Sequence, residues 1–168
     1  MTRQEATEFY QEHHRRLYNI SLRILRDPDE AEEVMQDTIL KYLSTKGTFS
    51  SAAQTSAWLA RTCIRASIDR LRRRHTRDAF LEDYAREQGL GPEPAEGPSF
   101  AGEPPGIEQI RSAMDALQEP YRMVLDLVLI EGLDYREIAA LTGRKETTLR
   151  SLYARGRQKL IDLLKKNI

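Results

Sequence analysis

Cysteine is almost missing from this chain. Cys63 is the only one in 168 residues, so neither an intramolecular disulfide nor a thiolate metal cluster can form. It lies in an apolar helical stretch and reads as a small buried side chain. Histidine is scarce as well. His13 and His14 are neighbours, and adjacent helical side chains point about 100° apart, so they cannot easily share a metal; His75 stands alone in an arginine run. There is no glycine-rich phosphate loop and no nucleophile elbow. These absences argue against an enzyme, and no metal, cofactor or small-molecule substrate is expected. No apolar run approaches the ~18 residues of a membrane span. The opening MTRQEATEFYQEHH holds no apolar signal core, so a cytoplasmic protein is expected. No period-two alternation appears either, which leaves an all-α fold class.

What is present is charge, 31% of residues, summing to zero. The sum hides segregation. Residues 27–37 hold six acids (Asp27, Asp29, Glu30, Glu32, Glu33, Asp37) and no base. Residues 65–77 hold six arginines against Asp69, and residues 144–166 hold eight bases against Glu146 and Asp162. Such blocks are either solvated helix faces or one acidic and two basic docking surfaces.

Residues 89–106, GLGPEPAEGPSFAGEPPG, carry ten of the chain's 16 glycines and prolines. Glycine resists ordering and proline withholds backbone donors, so this stretch is expected to be an extended tether between a domain at 1–88 and another at 107–168. Before it, apolar spacing predicts a helix from about Gln4 to Arg26, with Phe9, Leu17, Ile20 and Ile24 at helical positions and Leu25 beside them. Asp27-Pro28 supplies an N-cap and first-turn proline. The helix that follows, to about Leu43, is expected to bury Ala31, Val34, Met35, Thr38, Ile39 and Tyr42. A small-polar loop over 44–56 leads to a third helix from near Ser56 through Trp58, Leu59, Cys63, Ile64, Ile68 and Leu71, with continuation as helix over 76–88. After the tether come helices at Ile107–Leu117, from Pro120 to near Gly132, at Tyr135–Thr142 behind an Asp134-x-x-Glu137 capping pattern, and from Lys145 to Lys166.

The last two segments, LDYREIAALTGRKETTLRSLYARGRQKL, have the layout of a helix-turn-helix whose second helix enters the DNA major groove. Ile138, Ala139 and Leu141 can pack on Leu149 and Leu152. That leaves Lys145, Thr147, Thr148, Arg150, Ser151 and Arg155 to face a groove, hydroxyls and the helix start toward phosphate and Arg toward guanine edges.

With these residues the chain, all but its linker, resembles the extracytoplasmic-function (ECF) sigma factors of bacterial RNA polymerase. Leu117-Gln118-Glu119-Pro120 and Gly132-Leu133-Asp134-Tyr135-Arg136-Glu137-Ile138-Ala139 are similar to motifs of sigma region 4. LYNISLRILRDPDEAEEVMQDTILKYL and SAWLARTCIRASIDRLRRR resemble sigma region 2. The resemblance implies a non-enzymatic factor that directs core polymerase to promoters and aids their melting. Asp29, Glu30, Glu33, Gln36 and Asp37 would dock on a basic coiled coil of the polymerase. Lys46, Trp58, Arg61, Thr62, Arg65 and Asp69, in and after the loop, would hold the melted strand, with Arg70 and Arg73 on its backbone. Trp58 has a second reading, preferred here, as a core anchor of its helix. Duplex and melted promoter DNA and an anti-sigma factor are the implied partners. Three departures stand out: Arg65 where the family usually has Asn, Arg144 in place of an apolar turn residue, and Leu152 where Arg is common. The alternative is a sigma-like decoy that binds an anti-sigma factor without driving transcription, a role with no need of the basic blocks. An ordinary repressor would leave the acidic helix unexplained.

Overall fold

A computed structural model describes residues 2–45, 51–75 and 106–166. All regular structure among them is helical. The chain divides into two compact units, Met1–Arg77 and Asp78–Ile168. The expected helix over 76–88 and all of the expected tether except Gly106 lie outside the described residues, as does Lys46.

The first unit is three helices in mutual contact: α1 (Arg3–Leu25), α2 (Pro28–Ser44) and α3 (Ala52–His75). Thr2 and Glu5 form a capping box on α1, while Arg26 ends it in the left-handed region at φ 60°. Asp27 then caps α2, accepting from the amides of Asp29 and Glu30 at 2.9 and 3.3 Å, with Pro28 in the first turn. Three residues thus turn the chain back, because the short carboxylate satisfies amides that the helix start leaves orphaned. The six residues expected to be buried on α2 are buried. They meet Leu17, Ile20, Ile24 and Leu25 from α1 and Leu59, Cys63, Ile64, Ile68 and Leu71 from α3.

Two polar pairs sit inside this apolar layer. Ser67 donates to Ser21 at 2.9 Å, and the Cys63 thiol donates to the Leu17 carbonyl at 3.3 Å. Small side chains with local acceptors let α1 and α3 approach closely without stranding a polar group.

α3 starts four residues before the expected Ser56. The Ser51 hydroxyl accepts from the Gln54 amide at 3.2 Å, and the Ser51 carbonyl accepts from Thr55. Serine capping plus two alanines, the best helix formers, overcomes the loop-like composition.

The second unit consists of α4 (Ile107–Ala116), α5 (Glu119–Leu125) running into a π-helical turn at Asp126–Ile130, α6 (Tyr135–Thr142) and α7 (Glu146–Lys166). α4, α5 and α6 each pack on α7. One core cluster joins Ala113, Leu117, Leu125, Leu160 and Leu164. Gly156 of α7 lies against α5, where an added Cβ would stand 3.1 Å from Tyr121 Cβ. The π turn ends the apolar run by turning Leu129 and Ile130, each 54% exposed, outward while Leu127 stays buried. Only the first part of this apolar run, through Leu127, is therefore core.

His13 packs against the Phe9 ring at 4.5 Å, with the Glu12 carboxylate 3.8 Å from its Nε2. Burial pushes its pKa below 6.5; Glu12 opposes that shift and Arg16 adds to it. The unfolded chain therefore takes up a proton on His13 at a higher pH than the folded one. The contribution of neutral His13 is full above 6.5 and falls as pH drops from there through the folded value. Thermal melts followed by Trp58 fluorescence at pH 7.5 and 5.5 should show a smaller acid-induced loss in His13→Gln than in the parent; equal losses would exclude His13 as a source.

Candidate nucleic-acid interface

On α3, residues Gln54, Ala57, Trp58, Arg61, Thr62 and Arg65 recur at spacings of three and four and line one groove with a volume of about 450 Å³. That falls within the roughly 300–1,000 Å³ of clefts that hold organic groups. The same helix buries Leu59, Cys63 and Ile64 on its other side. Trp58 is half-buried, not a core anchor in full. Its ring lies 5.9 Å from Tyr42, which stacks on Phe9 at 4.5 Å and meets the Thr55 hydroxyl at 3.4 Å. Arg16 donates to the Ser56 hydroxyl at 2.6 Å and its carbonyl at 3.2 Å, fixing the first turns of α3 beside the groove. Arg16 was not a sequence candidate; its partner lies 40 residues away, beyond any local pattern. Aromatic and cationic side chains thus line the same groove, a combination suited to a flat ring with a phosphate attached.

Asp69 and Arg73 are exposed further along α3. Arg70 is placed differently. It sits on the flank turned to α2, where it donates to Glu33 at 2.7 Å and lies 3.8 Å from Asp37. Arg74 pairs with Glu30 and donates to the Leu25 carbonyl at 2.9 Å. The acidic and basic blocks of this unit therefore partly neutralise each other, and Arg70 is not beside the groove.

On α2, Asp29, Glu33, Gln36 and Leu40 fall within about 60° of one another at 100° per residue. All four are exposed, as is Asp37, while Glu30 is half-buried beside Arg74. Leu40, 62% exposed, extends the face with an apolar tip. Sequence reasoning passed over it, although an apolar residue off the buried stripe is the signal that reveals such a tip.

In the second unit, Asp134 caps α6 by accepting from the Glu137 amide at 2.8 Å, and Gly143 ends it in the left-handed region at φ 75°. Ile138, Leu141, Leu149 and Leu152 are buried as the helix-turn-helix layout requires. Lys145, Thr147 and Arg150 are exposed at the start of α7. The Arg150 guanidinium lies 5.5 Å from the centre of the Tyr135 ring. Thr148 and Ser151, expected to face a groove, are instead buried, and Arg155 is half-buried with its Nε enclosed. α7 contacts three other helices, so its covered face is wide enough to take in these two hydroxyl residues. Arg144 is half-buried in the turn, its amide donating to the Thr142 hydroxyl at 3.2 Å.

Among the described residues no group of three metal-ligating side chains converges, and no helix is long and apolar enough to cross a membrane.

Residues 9–77 match the family model for sigma-70 region 2, and residues 107–160 match that for sigma-70, region 4. That pair defines a transcription initiation factor of the sigma-70 class. The chain is 31% identical over 162 residues to the ECF RNA polymerase sigma factor SigE of Mycolicibacterium smegmatis, covering 95% of this chain and 62% of that protein. It spans less than two thirds of that relative's length. Identity to the ECF RNA polymerase sigma factor EcfG of Rhodopseudomonas palustris is 31% over 139 residues, 81% of this chain and 72% of that one. The fold is similar to that of the sigma factor RpoE from Bartonella quintana, solved in complex with the anti-sigma factor NepR, with a TM-score of 0.56 at 22% identity over 96% of this chain and 98% of that one. The chain belongs to the ECF RNA polymerase sigma factors, a family of non-enzymatic factors that direct RNA polymerase to promoters.

Proposed function

We propose that this chain brings core RNA polymerase to promoters through three surfaces. The exposed α2 face of Asp29, Glu33, Gln36, Asp37 and Leu40 docks on a basic polymerase surface. The α3 groove takes an unpaired base of the melted strand between Trp58 and Arg61, Thr62 and Arg65. Lys145, Thr147 and Arg150 at the start of α7 contact the upstream duplex. The single observation that carries this reading is the groove, whose aromatic and cationic residues share one stripe of a helix anchored by its opposite side. Capturing an unpaired base beside a bound phosphate would stabilise the melted state without any bond chemistry.

Residues 89–106 act as a tether between domains at 1–88 and 107–168 and limit the spacing of the two promoter elements. Two weak readers on one polymerase then raise each other's effective concentration. The protein works in the cytoplasm, where the polymerase is. An anti-sigma factor is a further partner, by analogy with the complex of RpoE and NepR.

Purified chain, core polymerase and fork-junction promoter DNA should assemble into a ternary complex. A decoy would join neither component, and a repressor would bind duplex alone. Within that complex, Arg150→Ala should weaken upstream-element binding about tenfold, the size of one lost Arg contact, and leave fork-strand binding unchanged. Unaltered upstream binding would remove Arg150 from the interface.

A further inference from the structure

Arg70 lies between two surfaces that the proposed function assigns to different partners. Its NH1 donates to Glu33 Oε2 at 2.7 Å, and its NH2 lies 3.8 Å from Asp37 Oδ2. The two carboxylates are one helical turn apart on α2, so a single guanidinium bridges both. Their side chains are 62% and 73% exposed, while that of Arg70 is 25% exposed. An outside cation can therefore reach the carboxylates while Arg70 is drawn down onto them. Arg74 is held differently, since it caps the Leu25 carbonyl as well as pairing with Glu30. Among the described residues Arg70 has carboxylate partners only, and both belong to the face proposed to meet polymerase.

We propose that Arg70 is a shared counter-ion that couples polymerase docking to DNA binding. In the free chain it neutralises Glu33 and Asp37. A basic polymerase surface that takes those carboxylates displaces it. The freed guanidinium then joins Arg73, about 60° round the same helix, on the phosphate backbone flanking the groove. Exposed ion pairs shift equilibria by only a few-fold, so the exchange of one cation for another meets little resistance. Each partner's binding then strengthens the other's by the same factor. The free chain, with Arg70 occupied, keeps a lower affinity for nucleic acid than its arginine block suggests.

This proposal rests on the acidic face of α2 being the polymerase surface, and the experiment separates the two. The full chain is titrated with core polymerase, and separately with fork-junction DNA at several salt concentrations, with fold checked by circular dichroism and Trp58 fluorescence. Glu33→Gln/Asp37→Asn should weaken polymerase binding at least tenfold. It should strengthen DNA binding by the free chain about threefold, with the log–log salt slope steeper by about 0.9, one added phosphate contact. Adding Arg70→Gln should abolish that DNA gain. Arg70→Gln alone should strengthen polymerase binding about threefold, and Arg70→Lys should fall between it and the parent. If the acidic double variant weakens polymerase binding but DNA affinity stays flat, the counter-ion exchange is overturned and the docking face stands. If polymerase binding does not change in the double variant, the docking face falls and the exchange with it. Should Arg70→Gln fold poorly, the DNA arm of the acidic variant alone decides.

Discussion

Gly156→Leu should cost about 3 kcal/mol or more in the second unit, at the upper end of what overpacking a filled core produces. Gly156 is buried at the crossing of α7 and α5. A Cβ there would stand 3.1 Å from Tyr121 Cβ and 3.4 Å from Leu125 Cδ1. Tyr121 Cβ sits next to its own backbone and cannot swing aside, and Tyr121 is fully enclosed. An alanine would strain this contact but gains about 1 kcal/mol of helix propensity over glycine, so Gly156→Ala should stay within about 1 kcal/mol of the parent. A leucine must push the helices apart. Hydrogen exchange followed peptide by peptide should show protection in α7 falling about 100-fold in the leucine variant, with upstream-element binding lost alongside. Unchanged α7 protection would mean the two helices are not in close contact at this point.

Leu59→Ala should have a comparable effect on the first unit. Leu59 is wholly buried in the middle of α3, and deleting such a side chain costs roughly 3–5 kcal/mol through lost burial and the cavity left behind. Trp58, the chain's only tryptophan, is its neighbour and reports the transition directly. At a urea dependence of about 1.5 kcal/mol per molar, the midpoint should fall by about 2–3 M. Leu59 faces the core from the helix turn that presents Trp58 to the groove. Fork-strand binding should therefore decline in the same range of urea in which Trp58 fluorescence changes. A midpoint within 0.5 M of the parent, allowing ~0.75 kcal/mol at that slope, would contradict the packing described for α3.

Much of this architecture could be read from residues alone. The buried set of α2 followed from the 3.6-residue period, and the turn into it from Asp27-Pro28, because both signals are local. Other features depend on what lies opposite. Thr148 and Ser151 carry hydroxyls that suit phosphate, yet the wide contact face of α7 covers them. The start of α3 was hidden by a composition that suits loop and helix equally, until the Ser51 cap decided it. Pairing of Arg70 with Glu33 spans 37 residues and belongs to the meeting of two helices, so no spacing within either could announce it. Trp58 shows a further limit: a large ring on an amphipathic helix can belong to the core edge and the groove at once, and sequence offers only a choice between them.

The π turn at Asp126–Ile130 has one more consequence. One surplus residue in the spiral offsets everything after it by a good part of a revolution. The greasy stretch is split there: Leu127 seals the interior, and Leu129 and Ile130 are left standing in water. Shortening the chain there by one position would swing both isoleucine and leucine onto a new bearing and re-aim the Gly132 bend that delivers α6.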